Sequence, residues 1–349
     1  MTDEGNPKNS ANWPTLLKDN ARTGGYGINA GRPPERAVWQ YRAGDSVRTA
    51  PILSDGVVYV TSLNGILHAI DAASGASRWK FHAGGQIHST PSLSEELVFF
   101  GCDDNRVYAV NRNSGKQQWT VVTGAEVWGS PVVRNKVVYF GSADAKVYAV
   151  DALTGQLRWS QEVGGRVYST IYVGEEALFL GCGDGKVYVL SASSGKRLWS
   201  AGTGNGIDGS PAVVGDIVLV GSEDFFFYAM DAGNGTVRWK FETGLGIVSS
   251  PAVSGELTVF GSKDGFLYAL EVQSGHLRWK KQLLEPITAP PMIAAGVVCI
   301  QAGGTFAFDM ETGSLLWRAA LAGALQSVPI ATADTIYLAS LSGEVYALR

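Results

Sequence analysis

Residues 146–159, KVYAVDALTGQLRW, hold two short runs of alternating apolar residues joined by Asp-Ala-Leu-Thr-Gly. The alternation reads as two half-buried β-strands. The joint has its own mechanism: the Asp side chain caps the turn, and Gly supplies the positive φ that leads into the next strand. Gly75, Gly115, Gly155, Gly195, Gly235, Gly275 and Gly313 all fill that last turn position.

Outward from this stretch the whole chain keeps the same ruler. Trp39, Trp79, Trp119, Trp159, Trp199, Trp239 and Trp279 fall 40 residues apart, and Trp317 follows after 38. Prolines repeat at 51, 91, 131, 211, 251, 291 and 329, with Ile171 in the fourth place. Tyrosines repeat at 108, 148, 188, 228, 268 and 346, with His68 and Phe306 in the two other places. One unit reads as four strands, in the third unit EVWGSPVV, KVVYFGS, KVYAVDA and QLRWSQEV. Four short strands every 40 residues predict a β-propeller blade. Before Trp39 there is only ERAVWQYRAG, one fourth strand, and the chain stops at EVYALR, one third strand. Seven whole units and one split unit predict an eight-bladed all-β propeller over residues 36–349, closed where the first strand joins the last blade. The two-residue deletion falls between Ile300 and Thr305, in one hairpin of the seventh blade. Residues 1–35 lie outside the repeat and read as an extended arm with Trp13, Leu16, Leu17 and Tyr26 to bury.

Bulk properties narrow the function classes. The 349 residues carry a formal charge of −4, without the basic stripe that nucleic-acid binding needs. No apolar run reaches a membrane span. The start, MTDEGNPKNS, lacks the basic and apolar regions of a signal peptide, which predicts a cytoplasmic chain, or a periplasmic one if this is a trimmed mature form. Cys102, Cys182 and Cys299 are odd in number and far apart, so they read as small buried thiols and not a disulfide framework. Asp104, Asp144, Asp184, Asp224 and Asp264 recur at one hairpin position and read as turn chemistry; no metal site is expected. His68 reads as structural, and His82 and His276 as exposed.

The unit SSPAV…GSKDGFLYAL…SGHLRW resembles the pyrroloquinoline quinone (PQQ)-like propeller repeat, and the resemblance runs from Trp39 to Arg349. The leader NWPTLLKDNARTGG also looks like the segment that precedes such repeats in bacterial proteins. The resemblance implies the fold and leaves the function open. One branch comprises quinoprotein alcohol dehydrogenases, which usually carry an adjacent Cys pair that this chain lacks. Another comprises BamB-like eight-bladed assembly scaffolds, which begin behind a signal peptide at a lipobox Cys. The chain fits best a third, soluble branch without a cofactor.

The repeat itself marks where function can sit. Positions that agree between blades carry the fold; positions that differ in chemistry are free for other work. Four residues before each lattice proline every unit has Val, Ile or Leu (Val47, Ile87, Val127, Val167, Ile207, Ile247, Ile287 and Leu325). Three before it stand Arg48, His88, Trp128, Tyr168, Asp208, Val248, Thr288 and Gln326. Alternation points these eight away from the core. By analogy with family propellers they would ring the mouth of the central channel, with Gln86, Glu126 and Arg166 as a second tier. Polar side chains there could merely be solvated, or Trp128 and Tyr168 could plug the hole. Five contiguous blades nonetheless carry groups suited to anion anchoring, acid–base work and stacking. The leading expectation is a small molecule or peptide held there, with Arg48 on an anionic group and Trp128 as a stacking wall. The alternative is a cofactor-independent enzyme, of cyclase, isomerase, lyase or hydrolase type, with His88, Tyr168 and Asp208 as acid–base groups. A scaffold for a protein partner and a PQQ dehydrogenase are the further alternatives.

Overall fold

The computed structural model describes residues 36–283, 285–319, 329–332 and 334–349. The arm read over residues 1–35, Leu325 and Gln326 lie outside the described residues. The described strands form eight four-stranded antiparallel sheets. Strands are lettered A to D from the inner to the outer edge. Blade 3 runs Val132–Arg134, Val137–Gly141, Lys146–Asp151 and Leu157–Glu162. Blade 8 takes strands A to C from the C-terminus and strand D, Ala37–Arg42, from the N-terminal side. Ala37 pairs with Leu348 and Arg42 with Glu344, so the split unit closes the ring. The 38-residue step falls in the hairpin of blade 7 where Gln301 faces Thr305, and the blade keeps all four strands.

The core lies between blades. Val132, Tyr139 and Ala149 of blade 3 pack with Val167, Leu178 and Tyr188 of blade 4. Trp39, Tyr41 and Val345 of blade 8 pack in the same way with Val47, Val58 and Ile70 of blade 1.

Two glycine contacts explain much of the repeat. The indole nitrogens of Trp39, Trp79, Trp119, Trp159, Trp199, Trp239 and Trp279 each donate to a carbonyl in the C–D turn of the next blade, at 2.8–3.1 Å. The ring lies on the turn glycine itself: a Cβ on Gly155 would sit 2.8 Å from Trp119. That glycine therefore serves twice, as a positive-φ residue (71° at Gly155) and as a seat for a neighbour's indole. The second contact is at the end of strand B. A Cβ on Gly141 would lie 2.2 Å from the side chain of Val167, the fully buried aliphatic of the next blade.

Strand A is shorter than the sequence suggests. The predicted strand EVWGSPVV is regular only from Val132, and residues 126–131 cross irregularly from the preceding blade. The backbone there bonds sideways. The N–H of Thr90 donates to Ser130 Oγ, that of Thr170 to Ser210 Oγ, and that of Ser210 to Ser250 Oγ. Small hydroxyl residues before the proline thus link blade to blade, in addition to fitting the narrow inner edge. Proline has no N–H to bring to a ladder, which delays strand A by a further residue.

Candidate functional site

In an antiparallel blade the D-to-A crossings and B–C hairpins share one end, and the A–B and C–D turns share the other. The divergent positions sit on the D-to-A crossings. Although the crossing is not a strand, the alternation survives: Val127 is fully buried while Trp128 is 37% exposed.

Four of the divergent side chains and one second-tier residue form a ladder across blades 2 to 5. The His88 and Trp128 rings lie 4.8 Å apart, tilted by 35°. Trp128 and Tyr168 stack at 4.4 Å and 20°. The Arg166 guanidinium covers Tyr168 at 5.1 Å and reaches to 3.7 Å from Asp208. Edge contacts hold the ladder upright. Trp128 Nε1 donates to Asp103 Oδ1 at 2.7 Å, and Tyr168 Oη donates to Glu126 Oε1 at 3.2 Å. His88 Nε2 is 3.5 Å from Asp103 Oδ2.

The electrostatics follow from these neighbours. Burial holds His88 below the ordinary imidazole range; Asp103 pulls it back up and Arg48 pushes it further down. His88 is therefore neutral at neutral pH. Burial, and then the bond to Glu126, raise the Tyr168 phenol above its usual value, so Tyr168 is a donor there and not a base. Asp208 Oδ1 is buried and accepts no hydrogen bond among the described residues, Arg166 standing beyond hydrogen-bond distance. Arg48 is exposed, with no ion pair among the described residues.

The geometry changes how Trp128 can be used. Both its faces are covered, by His88 and Tyr168, so what it shows to solvent is its edge. Thr288 and Gln86 are exposed and Val248 is half-buried, and none of the three joins the ladder.

Asp103 was missed by the sequence reading, although the same test finds it. It precedes the hairpin Asp, and in that register stand Leu63, Asp103, Ala143, Gly183, Glu223 and Lys263. These residues also diverge, and each backbone N–H is tied to the crossing beside it, Asp103 to Gln86 O and Ala143 to Glu126 O. At this position Glu223 of blade 5 and Lys263 of blade 6 pair at 2.5 Å.

Residues read as structural are so placed. Asp144 Oδ2 accepts the Tyr148 hydroxyl at 2.6 Å and the Gly124 N–H at 2.8 Å, and Asp224 and Asp264 repeat this pattern. His68 is fully buried between Tyr41 Oη (2.9 Å) and Ser62 Oγ (3.0 Å), and burial brings its pKa down to about 3. His82 and His276 are exposed. The three cysteines are buried and free, with thiols pushed up to about 12 by burial.

A PQQ-type cofactor does not fit these residues. A flat quinone needs an open aromatic face, and the Trp128 and Tyr168 faces are taken by neighbours. The cysteines stand in three separate blades, and no cluster of metal-ligating side chains occurs among the described residues.

A family model described as outer membrane protein assembly factor BamB matches residues 32–172 and 164–349. Comparison with curated proteins found no match. Among solved structures, BamB from Moraxella catarrhalis is 17% identical, with a TM-score of 0.79 over 90% of this chain and 99% of that one. The quinohemoprotein alcohol dehydrogenase from Comamonas testosteroni is 15% identical, with a TM-score of 0.84 over 97% and 80%. The computationally designed Ika8 protein is 19% identical, with a TM-score of 0.79 over 88% and 98%. At such identities these likenesses concern the fold alone.

Proposed function

This chain belongs to the BamB-like family of PQQ-repeat β-propellers, and on that footing we propose that it binds a small molecule or peptide at the mouth of its central channel, without a resident cofactor. The observation that carries this reading is the ladder His88–Trp128–Tyr168–Arg166, built entirely from positions the repeat leaves free. Two groups beside it offer a ligand contacts. The exposed Arg48 guanidinium suits an anionic group, and the Asp208 carboxylate, whose Oδ1 lies 3.7 Å from Arg166, suits a donor. A ligand reaching from one to the other would lie along the edges of the rings, not over the face of Trp128. The aromatic contacts then hold the ladder rigid, which lowers the ordering cost of binding.

One observation favours catalysis at the same place. His88 is neutral and its Nε2 faces Asp103, so its other nitrogen is free to accept a proton. In that version Asp103 is a positioning residue and Arg48 steadies a developing negative charge.

The test is a thermal-shift screen of metabolite and peptide pools against the native chain, Arg48→Ala, His88→Ala and Trp128→Ala. The reading requires a ligand whose stabilisation falls with Arg48→Ala. Ligand binding that survives His88→Ala while turnover is lost selects the enzyme. If every ligand found, and the biological activity, are untouched in all three variants, the site reading is wrong and a protein-assembly scaffold takes its place.

A further inference from the structure

The opposite end of the propeller carries a second feature, which the ring site does not use. The C–D turn residue that accepts the neighbour's indole is small or apolar in most blades (Ala72, Ala152, Ala192, Ala232, Val272, Met310), but in blade 2 it is Arg112. Arg112 turns into the groove between blades 1 and 2. Its Nη2 donates to Ser54 Oγ and Asp55 Oδ2, both at 2.8 Å. Its Nη1 donates to the carbonyls of Ser94 and Glu95 at 3.1 and 3.2 Å, and its guanidinium lies 5.9 Å from the Tyr59 ring. The groove is a complete guanidinium site, occupied by the chain itself.

Forty residues on, the same grip recurs without its occupant. Ser94 and Glu95 stand where Ser54 and Asp55 stood, Phe99 replaces Tyr59, and Ala152 takes the place of Arg112. In blades 3 to 7 the Ser–acid pair does not recur: those positions hold Arg134–Asn135, Gly174–Glu175, Val214–Gly215, Ser254–Gly255 and Ala294–Ala295. Where the guanidinium would lie there is an open cavity of about 520 Å³ between blades 2 and 3. Leu97, Val133 and Leu153 line it on the apolar side, and Ser94, Glu95, Glu96, Lys136 and Asp151 on the polar side. Leu153 is 68% exposed, which gives an incoming aliphatic stem something to cover. The Glu95 and Lys136 side chains make no ion pair or hydrogen bond among the described residues.

We propose that the cavity between blades 2 and 3 binds a guanidinium group supplied from outside, an arginine side chain or free arginine, in the place that Arg112 fills in the preceding groove. Glu95 and the Ser94 hydroxyl accept from the guanidinium fork, and Leu97, Val133 and Leu153 cover its methylene stem. With Asp151 paired to Arg158, the lining still sets Glu95 and Glu96 against Lys136, so its net charge favours a cation. A carboxylate paired with a fixed planar fork favours guanidinium over ammonium, so lysine is the informative control.

The test uses the full chain, titrated with N-acetyl-arginine amide, free L-arginine and N-acetyl-lysine amide and followed by NMR shifts of the residues around Ala152. Saturable binding of the arginine amide, weaker binding of the lysine amide, and a loss of about tenfold in Glu95→Gln are expected. Preference for the blocked amide over free arginine identifies a peptide side chain as the source; equal binding identifies the guanidinium alone. Ala152→Arg recreates the clasp from within: it abolishes binding and raises Tm by about 2 °C. Should Ala152→Arg fold poorly, Arg112→Ala keeps the idea testable, because it opens the first groove and its lowered Tm is expected to recover in millimolar methylguanidine but not in methylammonium. Absence of saturable binding up to about 50 mM, or an affinity for the arginine amide unchanged in Glu95→Gln, overturns the proposal.

Discussion

Trp119 and Trp128 lie nine residues apart and do opposite work. Trp119 is buried; its nitrogen bonds a backbone carbonyl and its ring lies on a glycine of the next blade. Trp128 is partly exposed; its nitrogen bonds the Asp103 carboxylate and its ring lies between two other side chains. Backbone and a turn glycine are available in each of the seven unsplit blades, so a contact made to them can be copied seven times. Contacts made to particular side chains occur once. The first kind builds the ring of blades, and the second distinguishes one sector of it.

The comparison breaks first if the lattice indoles are dispensable. Trp119→Ala is expected to cost about 3–5 kcal/mol, read as a fall in the denaturant midpoint, because it empties a packed seat between two blades. A loss below about 1 kcal/mol would mean that the repeat is held by its strands alone.

His68 sharpens the distinction between divergence and burial. It departs from the Tyr lattice, yet it is sealed inside. Its folded pKa, about 3, lies below the 6.5 of an ordinary imidazole, so the unfolded chain takes up the proton first. Its stabilising contribution is complete above pH 6.5 and is lost as pH falls through that window, by about 2–3 kcal/mol at pH 4.5. Asn64 stands where blades 2 to 6 have the hairpin Asp, and the double variant Asn64→Asp/His68→Tyr gives blade 1 their Asp–Tyr pair. It is expected to retain more of its pH 7 stability at pH 4.5 than the native chain does, by calorimetry at both values.

Removing Trp128 tests the other half of the comparison. Trp128→Ala deletes two ring contacts and one charge-assisted hydrogen bond at a partly exposed place, for an expected loss of about 1–2 kcal/mol. A loss as large as that of Trp119→Ala would make the ladder part of the frame.

The smallest effect is the most local. Asp103→Asn removes the charge that pulls the His88 pKa upward, so that pKa is expected to fall further in an NMR titration while stability at pH 7 changes by about 1 kcal/mol or less. An unchanged His88 titration would separate Asp103 from the site.

Much of the candidate site was legible because the repeat supplies its own reference. Aligning the eight units was enough to set Arg48, His88, Trp128, Tyr168 and Asp208 apart from Val47, Ile87 and Val127. Asp103 was legible in principle, from the same alignment taken at the hairpin. That Trp128 is covered on both faces was not legible, since ring orientation depends on what the blades on either side present. The irregular crossing at residues 126–131 escaped notice because Val, Trp and Ser-Pro fit a strand locally, while their backbone groups bond to other blades.

The sequence by itself determined the eight-bladed ring, its closure and the positions set free for function, because a fixed period of turn glycines, tryptophans and prolines admits one way of stacking the units. Only the tertiary structure decided which of the free positions meet. His88, Trp128, Tyr168 and Arg166 touch because the crossings are drawn together by bonds between blades, and Ala152 faces a cavity because its methyl leaves empty the place that Arg112 fills in the preceding groove. Contacts between blades depend on side-chain direction and close backbone approach, which a one-dimensional period does not encode.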